Sequence, residues 1–192
     1  MKKIDLHLSD YNPALTALIA PDKINELGAG SADRTYYDRL QTFDLSAAVS
    51  PLKIKDKTFA EACHAALWLR HDYLDASHTI SQGIDTATGS YWHGAMHRRE
   101  GDYWNSKYWF RRVGEHPVFA ELETVVKHTF GDFQETGLFL PADGQRWDPF
   151  HFIDLVERTI GSGSDTEDLC KNVQRLEWLM LFDYTYRQAV ED

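Results

Sequence analysis

Apolar residues recur at helical spacing over long stretches of this chain. Phe59, Cys63 and Leu67 fall on one face of a helix predicted over residues 59–77, with Thr58 as its N-cap. Alternation of apolar and polar residues, the pattern of a half-buried strand, is sparse throughout. The pattern therefore predicts a mainly α protein folded as a multi-helix bundle.

Three further helices have clear sequence signals at their ends. Pro117 suits the first turn of the second helix, and Gly131 ends it. Asp148 is the expected N-cap of the third helix because a proline follows it. A capping box that begins at Ser164 starts the fourth helix, which we expect to run to about Ala189.

The N-terminal part, residues 1–57, has weaker signals. Short helices can start at Pro13, at Pro21 and near Tyr36. The chain has 192 residues and 43% hydrophobic content, which is enough for one proper core. We therefore expect a single α-helical domain over residues 1–192, with residues 1–57 as an N-terminal excursion packed on the bundle.

One segment, at about residues 80–116, follows neither the helical nor the strand period. Aromatic and charged side chains are interleaved there, and Gly94 and Gly101 interrupt it. We predict a long irregular segment that carries the functional site, because interleaved rings and charges suit the recognition of a polar ligand.

The charge distribution limits the partners. The formal net charge is −10, which argues against general nucleic acid binding. Residues 91–116 are locally basic, with five Lys and Arg against three Asp and Glu, so a small polar or anionic ligand, either sugar-like or phosphorylated, fits better. A start rich in charges and the lack of a long apolar run make us expect a cytoplasmic protein without a membrane partner. The pattern leaves a homo-oligomer open.

Histidine spacing supports a metal hypothesis. His93 and His97 are four residues apart and would converge on one ion if that segment were helical. The preceding helix presents a stripe of polar residues that includes His64, His71, Asp75 and His78, and the connection to the next segment is short. The predicted ligands of a divalent metal are His78, His93 and His97. The alternative is a half-exposed helix face whose histidines are only hydrogen-bonded.

A second hypothesis needs no metal. Arginine pairs bind carboxylates or phosphates, and tryptophans stack on sugars or bases. The side chains predicted to bind such a ligand are Trp92, His93, Arg98, Arg99, Asp102, Asn105, Lys107, Trp109 and Arg112. His78, His97 and Glu100 are the candidates for acid/base catalysis. Whether the protein is an enzyme stays open at this point, since the same residues could instead form a protein-interaction surface or a network that fixes a loop.

Part of the segment resembles an uncharacterised family of bacterial and fungal proteins. The residues that carry this resemblance are Trp92-His93, His97-Arg98-Arg99-Glu100, Asp102-Tyr103, Asn105, Lys107-Tyr108-Trp109, Arg111-Arg112 and His116-Pro117. The resemblance implies no activity. The His-x-x-x-His-Arg spacing at residues 93–98 is also faintly similar to metal-binding helical bundles related to the DNA-damage-inducible DinB proteins.

Overall fold

The fold is described by a computed structural model for residues 11–50, 52–131 and 146–191. Within these ranges the chain forms helices and no strand, so the predicted mainly α, multi-helix bundle is confirmed. In chain order the helices are α1 Pro13–Ile19, α2 Tyr37–Gln41, α3 Leu45–Ala48, α4 Lys57–Arg70, α5 Leu74–Ser81, α6 Ala87–Glu100, α7 Tyr103–Val113, α8 Pro117–Phe130, α9 Pro149–Thr159 and α10 Asp165–Ala189.

The longest helix, α10, packs against α4, α8 and α9. Ser164 is its N-cap, as predicted, and the hydroxyl accepts a hydrogen bond from Glu167 N at 3.2 Å. The Glu167 side chain accepts from Gly163 N at 2.8 Å and not from Ser164 N, so the predicted capping box forms only in part. Trp178 of α10 is buried and donates from its indole nitrogen to the carbonyl of Ala66 at 3.2 Å. The predicted starts of α8 and α9 are also confirmed, with Asp148 capping α9.

The helix predicted over residues 59–77 is wrong in its extent, because the chain breaks between α4 and α5. Asp72 lies in this break with φ of +67°. Its carboxylate accepts hydrogen bonds from Lys23, Asn25 and Arg99, so contacts with distant parts of the chain hold the break in place. The N-cap is Asp56, which accepts from the backbone amides of two residues of the first turn, and not Thr58.

The irregular segment predicted at about residues 80–116 is also wrong, because this part of the chain forms α6 and α7. Every residue of α6 from Thr88 to Arg99 is buried, including its histidines and arginines. A helix covered on all sides shows no amphipathic period, so the usual sequence signal is lost. Gly101, with φ of +87°, ends α6, and the Asp102 side chain caps α7.

Gly94 allows α6 and α7 to approach closely. A Cβ atom added to Gly94 would lie 2.8 Å from Cδ2 of Phe110. The Ser106 hydroxyl donates to the Gly94 carbonyl at 2.7 Å and fixes the same contact. The glycine that argued against a helix in the sequence is therefore the residue that lets two helices pack.

Residues 11–50 contribute Leu15, Leu27 and Leu40 to the core. Short helices occur near the predicted Pro13 and Tyr36 starts, but residues 21–36 hold none, so the helix predicted from Pro21 is wrong. The break expected at residues 131–144 and the first ten residues of the predicted excursion lie outside the described ranges, apart from Gly131. None of the helices within the described ranges combines the length and the hydropathy of a membrane-spanning segment.

Candidate metal centre

Packing of α5 against α6 brings three histidines together. One ring nitrogen each of His78, His93 and His97 can be chosen so that all three lie within 4.8 Å of one another. The Nε2 atoms of His93 and His97 are 2.9 Å apart. The ring centroid of His78 is 4.7 Å from that of His93 and 5.3 Å from that of His97. Two of the three come from one helix face, and the third comes from the helix before it.

The centre lies at the edge of the bundle. His93 and His97 are buried, and His78 is half-buried. The indole of Trp109 stacks on the His93 ring, with centroids 4.0 Å apart and an angle of 24° between the planes. Trp109 therefore fixes the His93 ring and covers it from solvent, while the side of His78 remains accessible.

A carboxylate orients His97. Its Nδ1 lies 2.9 Å from Oε2 of Glu100, one helical turn away. An ionised carboxylate only accepts hydrogen bonds, so we assign the proton of neutral His97 to Nδ1 and the free lone pair to Nε2. The Asn105 amide, on α7, contacts the same Nε2 atom at 3.1 Å. In many metalloproteins a carboxylate accepts a hydrogen bond from one nitrogen of a histidine whose other nitrogen binds the metal.

Burial keeps the imidazoles of His93 and His97 neutral at pH 7. The pKa of His93 is lowered to about 4, mainly by burial and also by the neighbouring His97 and His78. Burial also lowers the pKa of His97, and the hydrogen bond that His97 donates to Glu100 opposes this effect in part. Since only the neutral imidazole can donate a lone pair to a cation, both rings are in the form that a metal requires.

The spacing of the nitrogens suits a single ion. Zinc binds histidine at about 2.0–2.1 Å with tetrahedral angles, which places the ligand nitrogens roughly 3.3 Å apart. The Nε2 atoms of His93 and His97 are 2.9 Å apart, which is slightly less than this value. The three ring nitrogens lie within 4.8 Å of one another, a limit that is greater than this value. Binding of one ion would bring the three nitrogens to about this spacing, and three ligands would leave a fourth position open.

The other predicted ligand-binding residues mostly have partners inside the protein. Arg98 is buried and paired with Glu177, which also accepts from the Tyr91 hydroxyl at 3.0 Å. Arg99 donates to Asp72 at 2.6 Å and to a backbone carbonyl at 2.7 Å. A direct role in ligand binding would require these buried pairs to open.

Four more of the predicted residues act within the fold. Trp92 is buried, and its indole nitrogen donates to the Thr185 hydroxyl at 3.0 Å. Asp102 is an N-cap, and Lys107 pairs with Asp154. Arg112 lies over the ring of Trp109 and pairs with an exposed aspartate. Only Asn105 and Trp109, of the predicted residues on α7, lie against the histidines.

Two histidines of the predicted polar stripe lie elsewhere. His64 and His71 contact the backbone carbonyls of Leu40 and Leu18, at 2.8 Å and 2.7 Å, and so fasten the N-terminal part to α4. The role of Glu100 in orienting His97 was not foreseen, since we predicted it as an acid or base. Its position three residues after His97 is the sequence signal for this contact.

Comparisons of the chain with protein-family models, with curated proteins and with solved structures found no match. The similarity to the uncharacterised family and to the DinB-related bundles therefore rests on the motif alone. Any functional argument has to come from the geometry of the three histidines.

Proposed function

We propose that His78, His93 and His97 bind one divalent transition metal ion and leave one coordination position for water or a substrate. The observation that carries this proposal is the convergence of three imidazole nitrogens within 4.8 Å. The contact between His97 and Glu100 supports it, because it directs one lone pair to the shared point. Imidazole ligands suit zinc, copper, iron and nickel, and zinc is the first candidate.

The reaction class that follows from such a centre is metal-assisted hydrolysis or hydration. A catalytic zinc ion with three protein ligands lowers the pKa of a bound water to about 7 and so supplies hydroxide at neutral pH. The residues of this chain would hold the ion, exclude water on the side of Trp109 and present the Asn105 amide to a polar substrate. We propose a small polar substrate, because His93 and His97 are buried and His78 is half-buried, so that little of the centre is accessible within the described residues.

The test is elemental analysis of the purified protein before and after treatment with a chelator, with thermal unfolding of the same samples. We expect about one metal ion per chain, and removal should lower the Tm because a ligand that binds only the folded state stabilises it. The double variant His78→Ala, His97→Ala should lose the metal. The matched control is His128→Ala, since His128 is an exposed histidine of α8.

Two results would contradict the proposal. One is a double variant that retains as much metal as the wild type. The other is a metal-free wild type whose Tm does not change when zinc, copper, nickel, cobalt or iron(II) is added in excess. A double variant that is merely unfolded is recognised by its circular dichroism, and the single variant His78→Ala, which alters the more exposed ring, then replaces it.

A second candidate function, protein interaction, is favoured by one observation on α7. Trp104 is 74% exposed and Tyr108 is 43% exposed, and their rings lie nearly parallel at a centroid distance of 6.5 Å. Tryptophan and tyrosine are common at interface hot spots. If this strip joins two copies, sedimentation will show a dimer that Trp104→Ser dissociates; a monomeric wild type at all concentrations would exclude self-association through the strip.

A further inference from the structure

A small cavity of about 20 Å³ lies between α4, α6 and α10, away from the three histidines. Its lining includes the side chains of Arg70, Arg98, Arg99 and Arg175 but only one carboxylate, that of Glu177. A cavity needs roughly 10–15 Å³ to hold one water molecule, so this one holds one or two small species. Its walls are therefore unusually basic for a space of this size.

Two of the four guanidinium groups are neutralised directly. Arg98 pairs with Glu177, and Arg99 pairs with Asp72. Arg70 is different. Its guanidinium lies 4.8 Å from the centroid of the Trp178 ring, and its hydrogen bonds within the described ranges all go to neutral oxygen atoms. These are the backbone carbonyls of Ile19, Ala20 and Lys23 and the side-chain oxygen of Asn25.

Arg70 thus has no carboxylate at hydrogen-bonding distance within the described ranges. Arg175 comes no nearer than 3.8 Å to Asp22, whose side chain is fully exposed. Burial lowers the pKa of Arg70 to about 9, and the positive charges of Arg175 and Arg99 contribute to the shift. A buried charge that no opposite charge contacts is costly, so the lining of this cavity favours a negative occupant.

Two buried polar atoms of the lining point to the same conclusion. Arg98 is only 1% exposed, and its Nε–H has no hydrogen-bond acceptor among the residues that the structure describes. The side-chain oxygen of Gln174 likewise has no donor in that part of the chain, while its amide nitrogen donates to the carbonyl of Glu26 at 3.1 Å. That contact fixes which way the amide faces. One side of the cavity therefore lacks an acceptor and the other lacks a donor.

We propose that this cavity binds one monatomic anion, for which chloride is the natural candidate. The anion accepts from Nε of Arg98 and offsets the charges of Arg70 and Arg175. One water molecule bound to it donates to Gln174. The volume excludes sulfate and phosphate. Because the cavity joins three helices, one of which carries His93 and His97, the anion holds α6 against α4 and α10; this inference does not depend on the proposed metal.

Thermal unfolding of the full chain at constant ionic strength tests the proposal, with gluconate replaced stepwise by chloride. We expect a saturable rise in Tm of about 2–4 °C when chloride exceeds its Kd several-fold, and a similar rise with bromide but none with sulfate. Arg175→Gln should abolish the rise. The control Arg187→Gln, which changes another arginine of α10 that pairs with Asp183, should retain it.

Diffraction from crystals of the wild type soaked in bromide gives a second readout that needs no variant. An anomalous peak at hydrogen-bonding distance from Nε of Arg98 is the expected result. A map with no peak in the cavity would overturn the proposal. So would a chloride effect on the Tm that Arg175→Gln leaves unchanged, because that effect would arise elsewhere on the molecule.

Discussion

The position of the proton on the His97 ring decides which of its nitrogens can bind a metal ion. Because Glu100 accepts a hydrogen bond from the Nδ1–H group of His97, the lone pair of Nε2 faces His93 and Asn105, which are 2.9 Å and 3.1 Å away. The His93 ring and the Asn105 amide both donate toward the single lone pair of His97 Nε2. A metal ion would replace that crowded contact with one strong bond, and Glu100 would hold the ring in place without touching the metal.

Glu100→Ala should therefore weaken zinc binding about 10- to 100-fold, the usual effect of removing the partner of a ligating histidine. Competition with a chromophoric chelator measures the Kd. The control is Glu121→Ala, at an exposed glutamate of α8. A Kd that is the same in wild type and Glu100→Ala would show that Glu100 does not support a metal ligand.

Sequence spacing indicated the pair of His93 and His97, and it also contained the contact between His97 and Glu100, which we did not predict. His93 with His97, and His97 with Glu100, are each about one turn apart, and the structure places each pair in contact. The contact of His78 with His93 and His97 was one hypothesis among several, because His71 and Asp75 fitted the spacing equally well. The break at Asp72 decides between them, because it directs His71 to the N-terminal part and His78 to α6. That break depends on ion pairs with residues far along the chain, which no local pattern contains.

Among the elements, α6 and α7 form the support of the candidate centre. Their close contact at Gly94 places Asn105 and Trp109 against the histidines. Neither helix was predicted. The histidines and arginines of α6 are buried, so this helix lacks the apolar stripe by which a helix is recognised.

Gly94→Ala should separate the two helices. The added Cβ would be 2.8 Å from Phe110, so we expect a loss of about 1–3 kcal/mol in the free energy of unfolding, which exceeds the gain of about 1 kcal/mol in helix propensity. Zinc affinity should fall as well, since Asn105 and Trp109 move with α7. Urea unfolding and zinc titration measure the two effects.

Gly83→Ala is the matched control for this change, because the nearest atom to its added Cβ is at an ordinary contact distance of 3.5 Å. A Gly94→Ala protein that is as stable as the control and binds zinc equally well would show that the contact between α6 and α7 does not position the centre.

For the molecule as a whole, buried ion pairs join the helices that surround the core. Glu177 of α10 pairs with Arg98 of α6 where both are almost fully buried, whereas Glu115 and Arg146 pair at the surface. Removing one partner of a buried pair leaves an uncompensated charge. Surface pairs contribute little because solvent screens them.

Glu177→Leu should therefore lower the free energy of unfolding by about 3–5 kcal/mol. Adding Arg98→Met to it should recover part of the loss, because the unpaired charge is then gone. Glu115→Ala, at the surface pair, should change stability by less than about 1 kcal/mol. Urea unfolding measures all three. Equal losses for Glu177→Leu and Glu115→Ala would contradict the role of the buried pair.

Buried histidines make the stability of the metal-free protein depend on pH. Burial lowers the pKa of His71, His93 and His116 to about 4, against 6.5 for an unperturbed histidine. The unfolded chain thus binds more protons between pH 6.5 and 4, and the free energy of unfolding falls as the pH falls through this window. The slope is at most about 1.4 kcal/mol per pH unit for each histidine.

Urea unfolding at pH 7.5, 6.5 and 5.5 measures this slope. His116→Asn should reduce it, since it removes one buried ring, and the exposed His128→Asn should not. Stability that rises as the pH is lowered from 7.5 to 5.5 would mean that these rings gain protons on folding, contrary to their burial.

The most direct test of the three-histidine centre is diffraction at the zinc absorption edge, from crystals grown with one equivalent of zinc. The account predicts one anomalous peak about 2.0–2.1 Å from a nitrogen of each of His78, His93 and His97, with a fourth position taken by a small ligand. A peak bound by other residues, or three histidines that remain hydrogen-bonded without a peak between them, would contradict it.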